Sequence, residues 1–284
     1  MIILQDHFVC LVSFVKKIII LAGNGSLPIN IIKNLRRRKI SFFSLIISSS
    51  GWNSNIERFP FKVINLGIII TEIKKLQNEG FGHIIFAGSI KRPIISEIKP
   101  DFNSLKLIPK FTKVLLKGGD DFLFKFIISE LEKLKFKVLD IKSVAPELFL
   151  SKGIKTKKKP CKIAKNDIQR GESILNTLSK YDVGQSIIVQ QGEVLGIEAI
   201  EGTDRLIRRI SKYRRKGVKP TLIKLFKKKQ ELKADLPTIG FKTILECNNF
   251  SIGGIAYLAN KTLFIDHEKI INKMNKNKMF LIGI

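Results

Sequence analysis

The residues with the clearest chemical potential lie in the stretch KKKQELKADLPTIGFKTI, positions 227 to 244. Asp235 follows several lysines, whose charges favour the ionised form of its carboxyl group. Such a carboxylate could hold a metal ion or position a water molecule for attack on phosphorus. The same pattern suits the start of a helix, because Pro237 favours a first turn that Asp235 would cap. Spacing alone leaves both interpretations open.

Two further stretches carry groups suited to binding phosphate. AGNGSLP ends a predicted strand and opens a predicted helix, where Gly23, Asn24 and Gly25 would let the backbone approach an anion at the helix N-terminus. AGSIKRP places Lys91 and Arg92 beyond the end of another strand, where a cationic pair could hold a diphosphate. An ordinary tight turn and a solvated loop are the alternatives for these two stretches.

Acidic residues are scarce in this chain, and they are concentrated in two other places. GGDD puts Asp120 and Asp121 at the start of a predicted helix, where they could cap it or bind Mg²⁺ beside substrate phosphates. The stretches YDVGQS and EAIEGTD add a group of polar residues around a hairpin and a helix start: Gln185, Glu198, Glu201, Thr203 and Asp204. Helix capping and salt bridges on the hairpin face are the alternative there.

The elements that must position these residues follow from the apolar pattern. Short apolar runs alternate with amphipathic helices through the first half, which predicts an α/β fold with a Rossmann-like parallel sheet. The second half is predicted to be a mixed α/β domain, with a hairpin around Gln191 and Gly192. We expect four segments: an N-terminal extension at 1–16, the Rossmann-like domain at 17–142, a linker at 143–147 and the C-terminal domain at 148–284.

Composition narrows the class of protein. The chain has 284 residues and a formal net charge of +27, which favours anionic partners such as phosphorylated substrates, an anionic membrane surface or nucleic acid. Lysine, isoleucine, asparagine and phenylalanine are enriched along the whole chain, however, as a genome-wide compositional bias would produce. Because no RNP-like or zinc-knuckle pattern is present and the basic residues are scattered, we expect no nucleic-acid partner.

Cysteine and histidine usage limits the metal and redox chemistry. The three cysteines are far apart and odd in number, which favours a reduced, cytoplasmic protein over a disulfide framework. With only three histidines, a metal would be a hard ion held by carboxylates, phosphates and water. The apolar run FVCLVSFV in the N-terminal extension is too short to span a bilayer, and an extra strand, a surface anchor or a misassigned start would each explain it.

Taken in order, these motifs resemble the UDP-2,3-diacylglucosamine pyrophosphatases of the LpxI type, from about Lys17 to the C-terminus. The matching stretches are LAGNGSLP, AGSIKRP, GDDFLF, DVGQSIIVQQGEVLGIEAIEGTD, DLPTIG, GGIA and MFLIG. The resemblance implies hydrolysis of UDP-2,3-diacylglucosamine to UMP and 2,3-diacylglucosamine 1-phosphate, a step of lipid A biosynthesis. It also implies two α/β domains that hold the lipid substrate between them, and dependence on Mg²⁺.

The resemblance gives each candidate residue a role. It makes Asp235 the catalytic carboxylate, with Asp120, Asp121 and Asp204 as candidate metal ligands beside it. Substrate binding falls to Gly23, Asn24, Gly25, Lys91, Arg92, Gln185, Glu198, Gly202, Thr203 and Thr238. The expected partners are a lipid-linked UDP-sugar, the inner-membrane surface and a second copy of the chain. The alternative function is a non-catalytic nucleotide-sugar-binding protein.

Overall fold

A computed structural model of the chain describes residues 17–90, 98–117, 120–181, 183–226, 233–234 and 236–284. The side chains of a few residues within these ranges are also left undescribed: Ser50, Asn103, Lys117, Asp120 and Asp121. The chain divides into two compact units. The first runs to Pro146 and includes residues 233–234, and the second comprises Glu147 onward without that segment. The predicted N-terminal extension lies outside the described residues.

A five-stranded parallel sheet organises the first unit, with the strand order β3-β2-β1-β4-β5. The three central strands β2, β1 and β4 are apolar and largely buried, as a parallel sheet covered by helices requires, whereas most of the edge strand β3 is exposed. The order reverses direction at β1, which lies between β2 and β4. The strands are β1 (Lys17–Ala22), β2 (Ser41–Ile47), β3 (Phe61–Ile64), β4 (His83–Ala87) and β5 (Lys137–Val138).

Six α-helices accompany this sheet among the residues that the structure describes. One sheet face packs its apolar side chains, such as Ile19 and Ile84, against the helices Ile69–Asn78 and Asp120–Lys133, and Ala234 joins the same core. Lys233 also pairs with Glu132 of this unit at 2.8 Å. The helices are α1 (Leu27–Arg37), α2 (Ile69–Asn78), α3 (Phe102–Leu105), α4 (Ile108–Lys117), α5 (Asp120–Lys133) and α6 (Ile141–Val144).

The second unit contains a mixed six-stranded sheet in the order β6-β13-β11-β9-β7-β8. Strands β13, β11 and β9 are parallel, whereas β6, β7 and β8 run antiparallel to their neighbours. Its strands are β6 (Gly153–Ile154), β7 (Ser186–Gln190), β8 (Glu193–Ile197), β9 (Thr221–Lys224), β11 (Gly254–Tyr257) and β13 (Phe280–Gly283). A separate two-stranded sheet pairs β10 (Thr238–Ile239) with β12 (Leu263–Phe264).

In the described part of the second unit, four α-helices pack on this sheet. Gln191 and Gly192 both have positive φ and close the predicted hairpin between β7 and β8. The helices are α7 (Lys162–Leu178), α8 (Thr203–Arg209), α9 (Phe241–Asn249) and α10 (His267–Lys276). The predicted α/β class, with a parallel N-terminal sheet and a mixed C-terminal sheet, is confirmed. Within the ranges given above, no helix is long and apolar enough to cross a membrane.

Candidate functional site

A buried polar cluster lies at the carboxyl end of β9 in the second unit. Lys224 is the last residue of β9, and its register partner on β7 is Ser186. The carboxyl ends of parallel strands are where open α/β sheets bind their ligands, because the connecting loops leave the sheet there. The cluster therefore occupies the edge of the sheet at which a site is expected.

The hydroxyl of Thr203 joins the members of this cluster. It accepts a hydrogen bond from Lys224 Nζ at 2.7 Å and donates to Glu198 Oε2 at 3.2 Å. Ser186 Oγ lies 3.2 Å from the same oxygen. Because a threonine hydroxyl carries one proton, which here goes to Glu198, Ser186 is the donor in that contact. We call these four residues, Ser186, Glu198, Thr203 and Lys224, the Thr203 cluster.

The Thr203 cluster holds a cation and a carboxylate away from water. Lys224 is 5% exposed and Glu198 is 7% exposed. Buried charges are costly unless they are paired and hydrogen-bonded, so this arrangement is maintained by specific contacts rather than by solvent. A preorganised cation of this kind suits a site for an anionic ligand.

The loop before β7 brings Gln185 next to the cluster. A Cβ on Gly184 would lie 1.9 Å from the Glu198 carbonyl oxygen, so glycine allows the two backbones to meet. Glu198 N also donates to Ser186 O at 2.8 Å. The side-chain oxygen of Gln185 is buried and accepts no hydrogen bond from any described residue. A buried amide oxygen without a donor is a position that a ligand could satisfy.

Asp204 connects the helix α8 to the helix that follows DLPTIG. Thr243 Oγ1, on α9, donates to Asp204 Oδ1 at 2.8 Å, and Lys242 Nζ lies 3.9 Å from Asp204 Oδ2. Asp204 therefore sits in the first turn of α8 without capping it. The N-cap of α8 is Gly202, which has a positive φ. The alternative that a side chain of the EGTD stretch caps this helix is wrong, because the N-cap is a glycine and no side chain caps it.

The start of α9 tests the interpretation that Asp235 is a helix cap. Thr238 and Ile239 form the strand β10, and α9 begins only at Phe241 with Gly240 as its N-cap. The sequence interpretation that Pro237 opens this helix and Asp235 caps it is therefore wrong. The physical reason is that β10 pairs with β12, a contact distant in sequence that local turn signals do not encode.

Two ion pairs near the cluster have a structural role. Arg208, on α8, binds both carboxylate oxygens of Glu246 on α9, and this hydrogen bonding lowers the pKa of Glu246. Glu201 accepts from Arg209 at 2.7 Å. A hydrogen bond from its own backbone amide and then the one from Arg209 lower the pKa of Glu201. Glu201 therefore forms a salt bridge near the hairpin, as the alternative interpretation predicts.

In the first unit, the glycine turn after β1 meets the loop after β4. Asn24 and Ser89 exchange backbone hydrogen bonds of 2.9 and 3.0 Å. A Cβ on Gly23 would lie 2.3 Å from Ser89 O, so this contact requires glycine. Asn24 Oδ1 accepts from Gly25 N at 2.7 Å, and both residues are exposed. The turn lies at the carboxyl edge of the sheet, as the sequence predicts.

Several predicted site residues lie outside the described part of the chain. They are Lys91, Arg92, Asp235 and the side chains of Asp120 and Asp121, although α5 does begin at Asp120. Thr238 is described, and its hydroxyl donates to Leu236 O at 3.1 Å. In the described portion of the chain, no group of three or more histidine, cysteine or acidic side chains could hold a metal ion. Of the predicted metal ligands, only the side chain of Asp204 is described.

Sequence analysis missed Lys224 and Ser186. The available signal was the lysine in TLIKLF, because a lysine inside an otherwise apolar strand must find buried partners. In a chain with 51 lysines and arginines that signal is easily lost.

Comparisons with known proteins identify the family of the chain. The sequence model of the LpxI N-terminal domain matches residues 17–148, and that of the LpxI C-terminal domain matches residues 151–282. A curated relative from Caulobacter vibrioides, named UDP-2,3-diacylglucosamine pyrophosphatase LpxI, is 30% identical over 278 residues. The alignment covers 95% of this chain and 98% of the relative. The predicted family is confirmed, and the chain belongs to the LpxI family.

Proposed function

We propose that this protein hydrolyses the pyrophosphate bond of UDP-2,3-diacylglucosamine, as a step of lipid A biosynthesis. Water adds to one phosphorus atom and the bridging P–O bond breaks. The products are UMP and 2,3-diacylglucosamine 1-phosphate, with release of a proton. The name of the Caulobacter relative and the match along nearly the whole chain support this assignment.

The observation that carries the proposal is the set of buried and tertiary contacts made by the DVGQ…EGTD block in the second unit. Glu198 and Thr203, from the DVGQ…EGTD block, form the buried cluster with Lys224. Asp204 from the same block contacts Thr243, on the helix that follows DLPTIG. Because folding alone does not need a buried cation and carboxylate at a strand end, this placement supports a site for a charged substrate.

Asp235 supplies the catalytic carboxylate in this proposal. It positions or deprotonates the attacking water. Because Gly240 is the N-cap of α9, capping of that helix does not explain Asp235, and this supports a chemical role. Lys91 and Arg92 offset the charge of the diphosphate, and the backbone of Gly23, Asn24 and Gly25 approaches it. The remaining substrate contacts come from Gln185, Glu198, Gly202, Thr203 and Thr238.

The metal in this proposal is magnesium, which carboxylates would hold. Mg²⁺ binds through one or two carboxylates together with substrate phosphates and water. Asp204 offers a half-buried carboxylate of this kind, and Asp120, Asp121 and Asp235 are the other candidates. When bound, the ion would neutralise charge on the diphosphate. Asp204 would keep its Thr243 hydrogen bond, which orients the carboxylate.

We also propose where the protein works and what it meets. Cys161 and Cys247 are free thiols, which supports a reducing, cytoplasmic location. The high positive charge supports peripheral contact with the inner membrane, where a diacylated substrate resides. The homodimer is proposed on family resemblance alone. No nucleic acid is required by the reaction.

The test is UMP release from UDP-2,3-diacylglucosamine with Mg²⁺ and with a chelator. Wild type, Asp235→Asn and the matched control Asp266→Asn should be compared, because Asp266 is an exposed carboxylate of the second unit. We expect metal-dependent release that falls about 10²- to 10⁴-fold in Asp235→Asn and stays unchanged in Asp266→Asn. Thermal melting of each variant checks that it is folded.

Two other outcomes would change the assignment. Release retained by folded Asp235→Asn would remove Asp235 from the chemistry and direct attention to Asp120, Asp121 and Asp204. No release by wild type, together with tight UDP-sugar binding that ignores the Asp235 change, would favour the binding-protein alternative.

A further inference from the structure

We propose that the helices α3 and α4 of the first unit form a surface that docks on an anionic bilayer. The inference rests on the proposed function, because a diacylated substrate resides in a membrane, and it names the surface that meets that membrane. This surface combines exposed apolar side chains with exposed lysines, and we call it the docking face. Its members are Phe102, Leu105, Lys106, Lys110, Lys113 and Leu116.

The apolar members of the docking face are unusually exposed. Phe102 is 82% exposed, Leu116 is 79% exposed and Leu105 is 55% exposed. Single exposed apolar residues are common on soluble proteins, whereas a group of large ones marks an interaction surface. Their transfer from water into hydrocarbon is favourable, so the surface has a driving force for association with an apolar phase.

Within each helix, the members project from one side. Those on α3 and its C-cap are separated by three or four positions, which is about one helical turn. Those on α4, Lys110, Lys113 and Leu116, follow one another at intervals of three. A different side of α4 packs inward, where the rings of Phe111 and Phe126 have centroids 6.2 Å apart. The docking face is therefore the side of these helices that the fold leaves uncovered.

Contacts with the rest of the first unit hold α3 in this orientation. Asp101 caps α3 by accepting a hydrogen bond from Ser104 N at 2.9 Å, and it also accepts one from Thr71 Oγ1 on α2. The backbone amide of Asp101 donates to Gly67 O at 3.2 Å. Because α3 is anchored at its start, its exposed side chains could turn inward only if these contacts broke.

The charge of the docking face indicates what covers it. The stretch 102–119 contains four lysines and no acidic residue. A second copy of the chain bound through the same face would bring like charges together, which is unfavourable. An anionic bilayer is complementary, because lysine stems can lie along apolar surface while the ammonium groups reach the lipid headgroups.

Nucleic acid is also anionic, but it fits this surface less well. Two of the three apolar members are leucines, which offer no aromatic ring on which bases could stack. Leucine side chains instead gain free energy in hydrocarbon. A bilayer supplies both the negative charge and the hydrocarbon, so it is the occupant that this combination of residues favours.

The first experiment compares two double charge reversals by sedimentation with vesicles of phosphatidylcholine and phosphatidylglycerol. Lys110→Glu/Lys113→Glu alters the docking face. Lys162→Glu/Lys165→Glu is the matched control, because it changes the net charge equally at two exposed lysines with the same spacing on α7. We expect the partition coefficient to fall at least about 30-fold for the first protein and less than about threefold for the control.

A second experiment reports contact with hydrocarbon directly. The chain has one tryptophan, Trp52, which is first replaced by phenylalanine. In that background, the emission of Leu116→Trp should move to shorter wavelength when vesicles are added, because the indole leaves water. The emission of Ile163→Trp, on α7, should not move, although Ile163 is 42% exposed. In the natural background, Leu116→Gln should weaken vesicle binding about tenfold.

Three results would overturn the docking face. One is an equal loss of vesicle binding in both charge reversals, and another is an unshifted emission of Leu116→Trp. The third is unchanged vesicle binding by Leu116→Gln or by Lys110→Glu/Lys113→Glu. In that third case, loss of a dimer would assign the face to a second copy of the chain, and loss of RNA binding would assign it to nucleic acid. Thermal melting of each variant checks that it is folded.

Hydrolysis separates this inference from the proposed function. UMP release from a short-chain, water-soluble substrate should be the same in wild type and in every variant, because none of these residues belongs to the proposed site. A wild type that releases no UMP but binds vesicles through α3 and α4 would refute the proposed function and leave the docking face standing. UMP release together with vesicle binding that ignores these changes would do the reverse.

Discussion

At the residue scale, the hydroxyl of Thr203 controls whether two buried charges are compatible with the fold. It lies between Lys224 Nζ and Glu198 Oε2, at 2.7 and 3.2 Å. Its removal would leave a buried cation and a buried carboxylate each short of one hydrogen bond. Such losses cost more than the net value of the bond, because the groups remain desolvated.

We therefore expect Thr203→Val to lower the free energy of unfolding by about 1–3 kcal/mol and to reduce UMP release. Thr203→Ser keeps the hydroxyl and should lose only about 1 kcal/mol for the missing methyl group. Thr177→Val removes an exposed hydroxyl on α7 and should stay within about 0.5 kcal/mol of wild type. Urea denaturation measures all three. Equal stability of the valine and serine variants would contradict the role given to this hydroxyl.

Sequence reasoning grouped Gln185, Glu198, Glu201, Thr203 and Asp204, since acids are rare here and these positions are close along the chain. Of these, the structure joins Glu198 and Thr203 directly by a hydrogen bond. It could not recover Lys224. Pairing of β9 with β7 places Lys224 opposite Ser186, and from there its side chain reaches Thr203, which is 21 positions away in the sequence. The chemical type of a residue can be read from sequence, whereas its partner across a sheet depends on register.

At the element scale, the loop that precedes β7 packs closely against the residue that follows β8. Gly184 meets the backbone of Glu198 so closely that an added Cβ would lie 1.9 Å from a carbonyl oxygen. A backbone atom cannot swing aside as a side chain can, so any substitution must move the loop or the strand end. That movement would displace both Gln185 and Glu198.

Gly184→Ala should accordingly destabilise the protein by about 1–3 kcal/mol and lower kcat/KM through displacement of Glu198. Gly82→Ala is the control, because nothing lies within 4 Å of a Cβ at that position. It should change the free energy of unfolding by no more than about 0.5 kcal/mol. Thermal melting and UMP release report the two effects. An alanine at 184 that leaves both unchanged would show that the loop can relax without cost.

The elements themselves were largely predictable, and the exceptions have a common cause. Continuous apolar runs such as β1 and β4 fit a strand buried on both faces, so the parallel sheet follows from sequence. The segment after position 235 was misassigned because an aspartate and a proline are equally suitable before a helix and before a short strand. The two-residue strand β10 exists through its pairing with β12, which no local pattern specifies.

At the scale of the whole molecule, the net charge of +27 has two alternative explanations, which are compositional bias and attraction to an anionic membrane. A compositional bias enriches lysine along the whole chain without any function. A lipid substrate makes positive charge functional, because the charge attracts the protein to an anionic membrane. Each basic residue near such a surface contributes about 1 kcal/mol, and the attraction decays within a Debye length of about 10 Å at 0.1 M salt.

We expect the protein to sediment with vesicles that contain anionic phospholipid at low salt and to be released as the salt concentration rises. Vesicles of neutral phosphatidylcholine should retain little protein, because without surface charge only apolar contacts remain. At about 1 M salt the Debye length falls to about 3 Å, so an electrostatic association should be lost. Hydrolysis of substrate carried in the same vesicles should fall in parallel, while hydrolysis of a short-chain soluble analogue should change far less.

If both vesicle types bind equally, or if salt leaves the binding intact, the surface charge is unrelated to membrane contact and compositional bias is the better explanation.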